Sequence, residues 1–306
     1  MATDPVSEDG PGPWTRKLAM ALEPVAGQVY FSPECHAEYE KLGFSPSPGT
    51  LGNGVQLPDG PAYFTSRGSV MGQVPGHVVA AAFAVFNPDA VVPSVTLGWS
   101  KTDAVTICGA RTRGATAQLV RILGAEPEGL ARVTELLGQA VARLRPEGRP
   151  LFAGLLSLGL PGDSMGDMWR LADALREYRG DAHTAAWVAA GLDATEVGLL
   201  TELYWGLPLR SYVRTRAWSD RQLDDAESRL VARGLVADGS MTEAGRALRE
   251  SIEAATDRQC EVMVHALGRA VGELVDLLAP WGEAIRQAAG YPAQGPHDLA
   301  PRRAPQ

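Results

Sequence analysis

The chain has 306 residues, 45% hydrophobic and 21% charged, with a formal net charge of −8. That length and apolar content can bury a core without disulfides or structural metal. The charge disfavours a large nucleic-acid footprint, which needs concentrated Lys and Arg.

Residues 1–13 are acidic and rich in Pro and Gly, and are expected to be disordered. They lack the basic and apolar regions of a signal peptide. Trp14, Leu18, Leu22 and Val25 have helical spacing, so a helix is expected over Trp14–Val25. A second is expected over Pro33–Leu42, with Ser32 as cap, Pro33 in the first turn and Gly43 past the end. The Pro/Gly-rich stretch 44–60 reads as a long loop. Pro75–Phe86 reads as a buried small-residue helix. Val91–Ile107 alternates and carries β-branched residues, which leaves helix and strand both open. Amphipathic helices follow at Ala115–Leu123 and Glu126–Leu144. Pro146 and Pro150 bracket a turn that would divide a helical N-terminal lobe, 14–146, from a C-terminal lobe, 150–280.

The second half starts with Leu151–Leu158. Ser164 is placed to cap a long helix running to about Ala190. Ala194–Gly206 is the next helix, and Pro208 is placed to start a short one. Ser219 caps a recognition-type helix to Gly234. Asp238-Gly239 forms the tight turn of a minimal wing. Thr242 then starts a helix to about Gln259, followed by another at Val262–Leu278. The tail 291–306 is too polar and Pro-rich to pack. The fold class expected is mainly α, with a helical N-terminal lobe and a winged-helix C-terminal domain. The longest apolar stretch, Val78–Phe86, is too short to cross a bilayer, so no membrane partner and a cytoplasmic location are expected.

A winged helix usually means DNA, but the charges disagree. Across Ser219–Arg233, Asp220, Asp224, Asp225 and Glu227 stand against Arg221, Arg229 and Arg233. The wing has no base and carries Asp238. An acidic reading helix is penalised at the phosphate backbone before any base contact forms. Arg210, Arg214 and Arg216, with Arg221, are the residues that would contact DNA if such binding were retained. Their alternative role is pairing with nearby acids.

The densest polar cluster is Arg176-Glu177-Tyr178-Arg179-Gly180-Asp181-Ala182-His183. Arg179 and His183 are i,i+4 and share a helix face, with Arg176 near the same stripe. A mid-helix glycine costs about 1 kcal/mol relative to Ala, so Gly180 implies close approach of a backbone or a ligand. His183 and Arg179 are therefore the candidate catalytic pair, for binding an acid or moving a proton. Arg176, Arg67 and His77 are the candidate ligand-binding residues, sharing a cavity with that pair if the halves pack face to face. The alternative is an ion-paired helix contact with a hydrogen-bonded histidine, and a surface turn at Arg67.

Glu34-Cys35-His36 is a poor metal pair, because adjacent helical residues point about 100° apart. The cysteines Cys35, Cys108 and Cys260 form no CxxC pair, and no metal site is expected. The cofactor is left unassigned. A non-covalent haem would need a single axial histidine, which His36, His77, His183 or His265 offers.

The segment Gly234–Arg246 resembles the wing and following helix of MarR-type regulators. A wider resemblance, over most of 14–280, is to a little-characterised actinobacterial helix-turn-helix-like family. It rests on Leu22–Val25 with Tyr30-Phe31, on Arg176–His183 and on Thr242–Arg246, and it implies a fold without an activity. The reading that follows is a small-molecule-binding protein, with biosynthetic tailoring as its enzymatic form, on a scaffold that has lost strong DNA binding. A MarR-like transcriptional regulator and a purely structural module are the alternatives.

Overall fold

The computed structural model describes residues 10–51 and 53–292. The expected disordered tails therefore fall mostly outside the described residues. Their inner ends do not behave as tails: Pro11 starts a helix, and Tyr291 is buried against Phe31 with ring centroids 5.5 Å apart. The described chain is mainly helical, with one two-stranded hairpin.

Helix α1 (Pro11–Gly27) buries the Leu18, Leu22 and Val25 stripe. Helix α2 (Pro33–Glu40) is capped by Ser32, which accepts from the Cys35 N–H at 3.1 Å. The Arg67 segment forms α3 (Gly60–Gly68) rather than a turn, with Asp59 as its cap. Helix α4 (Gly76–Phe83) follows. The ambiguous stretch 91–107 resolves into α5 (Pro88–Lys101) and the start of α6 (Ala104–Leu123). Asn87 and Asp103 accept from the first-turn N–H groups of α5 and α6, and those caps override the β-branched composition. Gly114 lets α6 lie on α2: a Cβ there would sit 2.5 Å from Cys35 Cα.

Helices α7 (Leu130–Val141) and α8 (Pro150–Leu158) precede the long α9 (Ser164–Ala189). The cap of α9 is Asp163, not Ser164; Asp163 accepts from the Gly166 N–H at 2.8 Å. Next come α10 (Ala194–Tyr204) and α11 (Asp220–Ala232), each with a capping box. No helix starts at Pro208. Instead the buried Glu202 carboxylate accepts from the backbone N–H groups of Arg210, Tyr212 and Val213 at 2.6–2.7 Å, and a 3-10 turn forms at Val213–Arg216. Strands β1 (Val236–Ala237) and β2 (Ser240–Met241) flank Asp238 and Gly239, both at positive φ. The expected break near Gln259 is absent. Helix α12 runs from Glu243 to Leu267, because the buried Cys260, Met263 and Val264 continue its apolar face until Gly268 ends it at φ 52°. Helix α13 (Ala270–Gln287) closes the fold.

The main core draws on α1 to α9, the second half of α12 and α13. It includes Leu137, Leu144, Leu151 and Leu155, so it continues across the turn proposed to separate two lobes. A smaller core gathers Val197, Leu200, Val213, Leu223, Leu230 and Val236 with Trp187 and Ile252. Helices α9 and α12 thus carry residues of both cores and hold α10, α11 and the hairpin against the body. The loop before α5 adds a clamp. The Trp218 indole donates to Val85 O at 2.9 Å, and Asn87 donates from its backbone to Arg216 O at 2.9 Å and from its amide to Ala217 O at 3.0 Å.

Candidate ligand cavity

A partly open cavity of about 240 Å³ lies where the two cores meet, walled by α1, α3, α9, α10, the 3-10 turn and α12. Helix α9 contributes Arg176, Arg179, Gly180, His183 and Trp187, one face at helical spacing. Helix α3 contributes Arg67, so the structure brings Arg67, Arg176, Arg179 and His183 to one wall. His77 is not part of it. It is exposed on α4, since α4 buries Val79, Ala80 and Phe83 instead.

The wall carries five arginines (67, 176, 179, 216 and 249) and three glutamates (23, 177 and 253). Glu177 is the hub. It accepts from Arg67 at 2.9 and 2.7 Å, from Arg176 at 3.1 Å and from the Tyr30 hydroxyl at 3.1 Å. Burial alone would raise its carboxyl, but Arg67 and Arg176 outweigh that and hold it at about 2. Arg176 also grips Glu23 at 3.0–3.1 Å, and the Tyr291 hydroxyl lies 2.9 Å from Glu23. Arg179 braces α9 to α12 through Asp257 at 2.9 Å and Glu253 at 3.3 Å. Both of its terminal nitrogens are engaged there.

His183 is held differently. Its Nδ1 lies 3.0 Å from Thr256 Oγ1, whose proton goes to Ile252 O at 2.8 Å. Thr256 must then accept, which fixes the proton on Nδ1 and leaves the Nε2 lone pair open. Burial, then the charge of Arg249, lowers the imidazole from 6.5 to about 4. It is a neutral hydrogen-bond acceptor at neutral pH.

Gly180 does not serve a backbone contact. A Cβ there would meet only Glu177 Oε2, at 3.6 Å, an ordinary contact. The glycine opens the wall instead. Gly180→Ala is therefore expected to raise stability by about 0.5–1 kcal/mol, the helix-propensity difference, read as a higher melting temperature. A lower melting temperature would mean that another segment closes on this position.

The arginines ahead of α11 are paired. Arg210 binds Asp224 and Glu227, each at 2.7 Å, and Arg214 binds Asp220 at 2.7 Å. Arg216 turns inward to the cavity, its guanidinium 4.6 Å from the Phe86 ring and 4.4 Å from the Tyr212 ring. Arg221 is exposed on α11 beside Asp220, Asp224 and Asp225.

The remaining histidine readings resolve locally. Both ring nitrogens of His36 are engaged, Nδ1 with Gln56 at 2.9 Å and Nε2 with Tyr30 O at 3.2 Å. Glu34 pairs with Arg121. Among the described residues no group of three or more His, Cys, Asp or Glu is arranged to hold a metal, and no helix is long and apolar enough to cross a membrane.

Several wall residues escape sequence reading: Glu23, Trp187, Arg249 and Glu253. Glu23 follows Leu22 on α1 but points about 100° away from it, off the apolar stripe. Arg249 and Glu253 stand i,i+4 on a buried face of α12. Charges placed where amphipathic periodicity demands apolar residues are the signal that could have found Arg249 and Glu253.

The geometry is that of a helix-turn-helix segment docked on a helical body, with a charged cavity at the junction. The chain matches the helix-turn-helix family over residues 15–292, and it belongs to that family. Neither the curated proteins nor the solved structures include a match to it. A helix-turn-helix is a scaffold of the DNA-binding type.

Proposed function

We propose that this protein binds a small molecule in the cavity between the body and the helix-turn-helix segment, as a cytoplasmic protein. In this reading, residues 194–267 form a MarR-type winged helix that no longer binds DNA strongly. The observation that carries it is the wall formed by Arg67, Arg176, Gly180 and His183. A large buried charge network is costly to maintain, and here it borders an open volume of about 240 Å³ rather than packed side chains. A neutral His183 with a fixed tautomer suits recognition of a ligand hydroxyl or amide. In a tailoring enzyme it would receive a proton from the same group.

The test is mass spectrometry of small molecules released when the purified protein is denatured, together with melting in the presence of metabolites. A stoichiometric compound, or one that raises the melting temperature of wild type but not of Gly180→Leu, is expected. Release of nothing and stabilisation by nothing would remove the reading.

The second reading, a DNA-binding regulator, is favoured by family membership and by exposed Arg221. It requires nanomolar duplex binding with a steep salt dependence that Arg214→Ala abolishes. Weak binding near physiological salt is expected instead, because Arg210 and Arg214 already bind carboxylates of α11.

A further inference from the structure

One hydrogen-bond chain reaches the cavity wall with its direction fixed. Thr256 gives its hydroxyl proton to Ile252 O at 2.8 Å, so it can only accept from His183 Nδ1, 3.0 Å away. The imidazole proton therefore sits on Nδ1, and Nε2 presents a lone pair. Nε2 makes no hydrogen bond, yet it is not one of the buried polar atoms left without a partner, so it opens onto free volume. A helix carbonyl orients the whole chain, and Nε2 of the neutral ring takes a proton donor only. An ether, carbonyl or carboxylate oxygen there would set lone pair against lone pair.

Space adjoins that lone pair. Gly180 precedes His183 by three residues on α9, a spacing that puts Cβ positions about 5–6 Å apart on one helix face. A Cβ at Gly180 would meet only Glu177 Oε2, at 3.6 Å, and otherwise open space. The niche thus has a carboxylate oxygen at its rim, and an anionic group placed in it would face Glu177 at close range. The flanking arginines offer such a group little in return. Every guanidinium nitrogen of Arg67 is engaged, with Glu177 and the Tyr63 hydroxyl, and every one of Arg176, with Glu23, Glu177 and the Tyr30 hydroxyl. Arg179 holds Asp257 and Glu253, and Arg249 holds Glu253. A cation would find those same carboxylates taken. Much of the remaining lining is apolar, including Leu18 and Leu22 of α1, Val197 of α10 and Met263 of α12.

Resting on the small-molecule reading above, we infer that the ligand is a neutral, largely apolar molecule bearing a hydroxyl group, an alcohol or phenol. Its O–H donates to His183 Nε2. The edge of its body next to that hydroxyl fills the niche at Gly180, and the rest lies on the apolar lining.

Isothermal titration of the full chain with phenol, anisole, benzoate and benzylamine at neutral pH tests this, because the four share a ring and differ in donor and charge. Phenol is expected to bind about tenfold more tightly than anisole, whose methyl ether has no proton to donate. Benzoate and benzylamine should both bind more weakly than phenol. His183→Phe keeps an aromatic ring and removes Nε2. It should bring phenol down to the affinity of anisole and leave anisole nearly unchanged, whereas a defect in folding would weaken both. Gly180→Ala, expected to be more stable than wild type, places a methyl group in the niche and should weaken phenol and anisole alike. Anisole binding as tightly as phenol, or a preference for phenol that survives His183→Phe, would overturn the hydroxyl contact while leaving a ligand cavity in place. Benzoate or benzylamine binding as tightly as phenol would overturn the neutral ligand. Unchanged affinities in Gly180→Ala would overturn the niche. Absence of binding by all four would overturn the inference, and release of a copurified metabolite would then decide the broader reading independently.

Discussion

Glu177→Ala is expected to lower stability by about 3–5 kcal/mol, the usual cost of removing one partner from a buried ion-pair network. Glu177 is 2% exposed and receives Arg67, Arg176 and the Tyr30 hydroxyl. Its loss leaves Arg67 without its carboxylate and leaves Tyr30 without an acceptor. Arg176 keeps Glu23, so its own loss is partial. Arg111, which lies 3.4 Å from the Tyr30 hydroxyl, remains neutralised by Asp173 at 2.8 Å, and the neighbouring pair should survive. Glu177→Gln should recover part of the deficit, because its amide oxygen still accepts from an arginine. The measurement is the midpoint of urea unfolding for the three proteins. A deficit below about 1 kcal/mol for Glu177→Ala would mean that water reaches the hub and solvates both arginines.

A second large effect concerns pH. Burial pushes the Asp181 carboxyl from 3.8 to about 7, even though the Phe152 N–H donates to it at 3.1 Å. Between those values the folded state holds a proton that the unfolded chain lacks, so this group adds stability as pH falls below 7. His183 does the opposite. Its imidazole drops from 6.5 to about 4, so over that interval the unfolded chain holds the extra proton, and stability is lost as pH falls. The two slopes, each about 1.4 kcal/mol per pH unit, oppose one another. From pH 6.5 to 5 the wild-type protein should therefore change little. Asp181→Asn should lose about 2 kcal/mol over that interval. His183→Asn, whose amide can still donate to Thr256, should gain a similar amount. Below pH 4.5 all three proteins should weaken. Glu177 and Glu253 are both held at about 2 against burial, Glu177 by Arg67 and Arg176 and Glu253 first by Arg249, and their contribution is lost as pH falls from 4.5 through 2. Equal slopes in wild type and both variants would show that neither group titrates differently on folding.

The neutral state of His183 bears on function as well. An imidazole that stays unprotonated across physiological pH is an acceptor rather than a cation. Gly180 lies one turn before His183 on the cavity face of α9. Its missing side chain contributes volume rather than backbone contact.

The mainly helical class, the Ser219 and Thr242 caps, the tight turn at Asp238-Gly239 and the shared face of Arg176, Arg179 and His183 are all legible along the chain. These follow from interactions within a few residues: a side-chain oxygen meets an N–H two or three positions on, or residues three and four apart share a stripe. Where the polar groups end depends on contacts between distant segments. Glu177 was legible as a charged helix residue, yet its becoming the hub depends on Arg67, 110 positions away. Glu202 reads as an ordinary helix acid, until the fold aims three backbone N–H groups at it. Arg210 and Arg214 read as a basic patch until α11 placed carboxylates against them. His77 followed Arg67 in sequence but points to solvent, because the apolar face of α4 lies on its other side. The cavity is set by where α9 and α12 leave one core and enter the other. That crossing is a packing outcome of two hydrophobic faces, and no local pattern encodes its position.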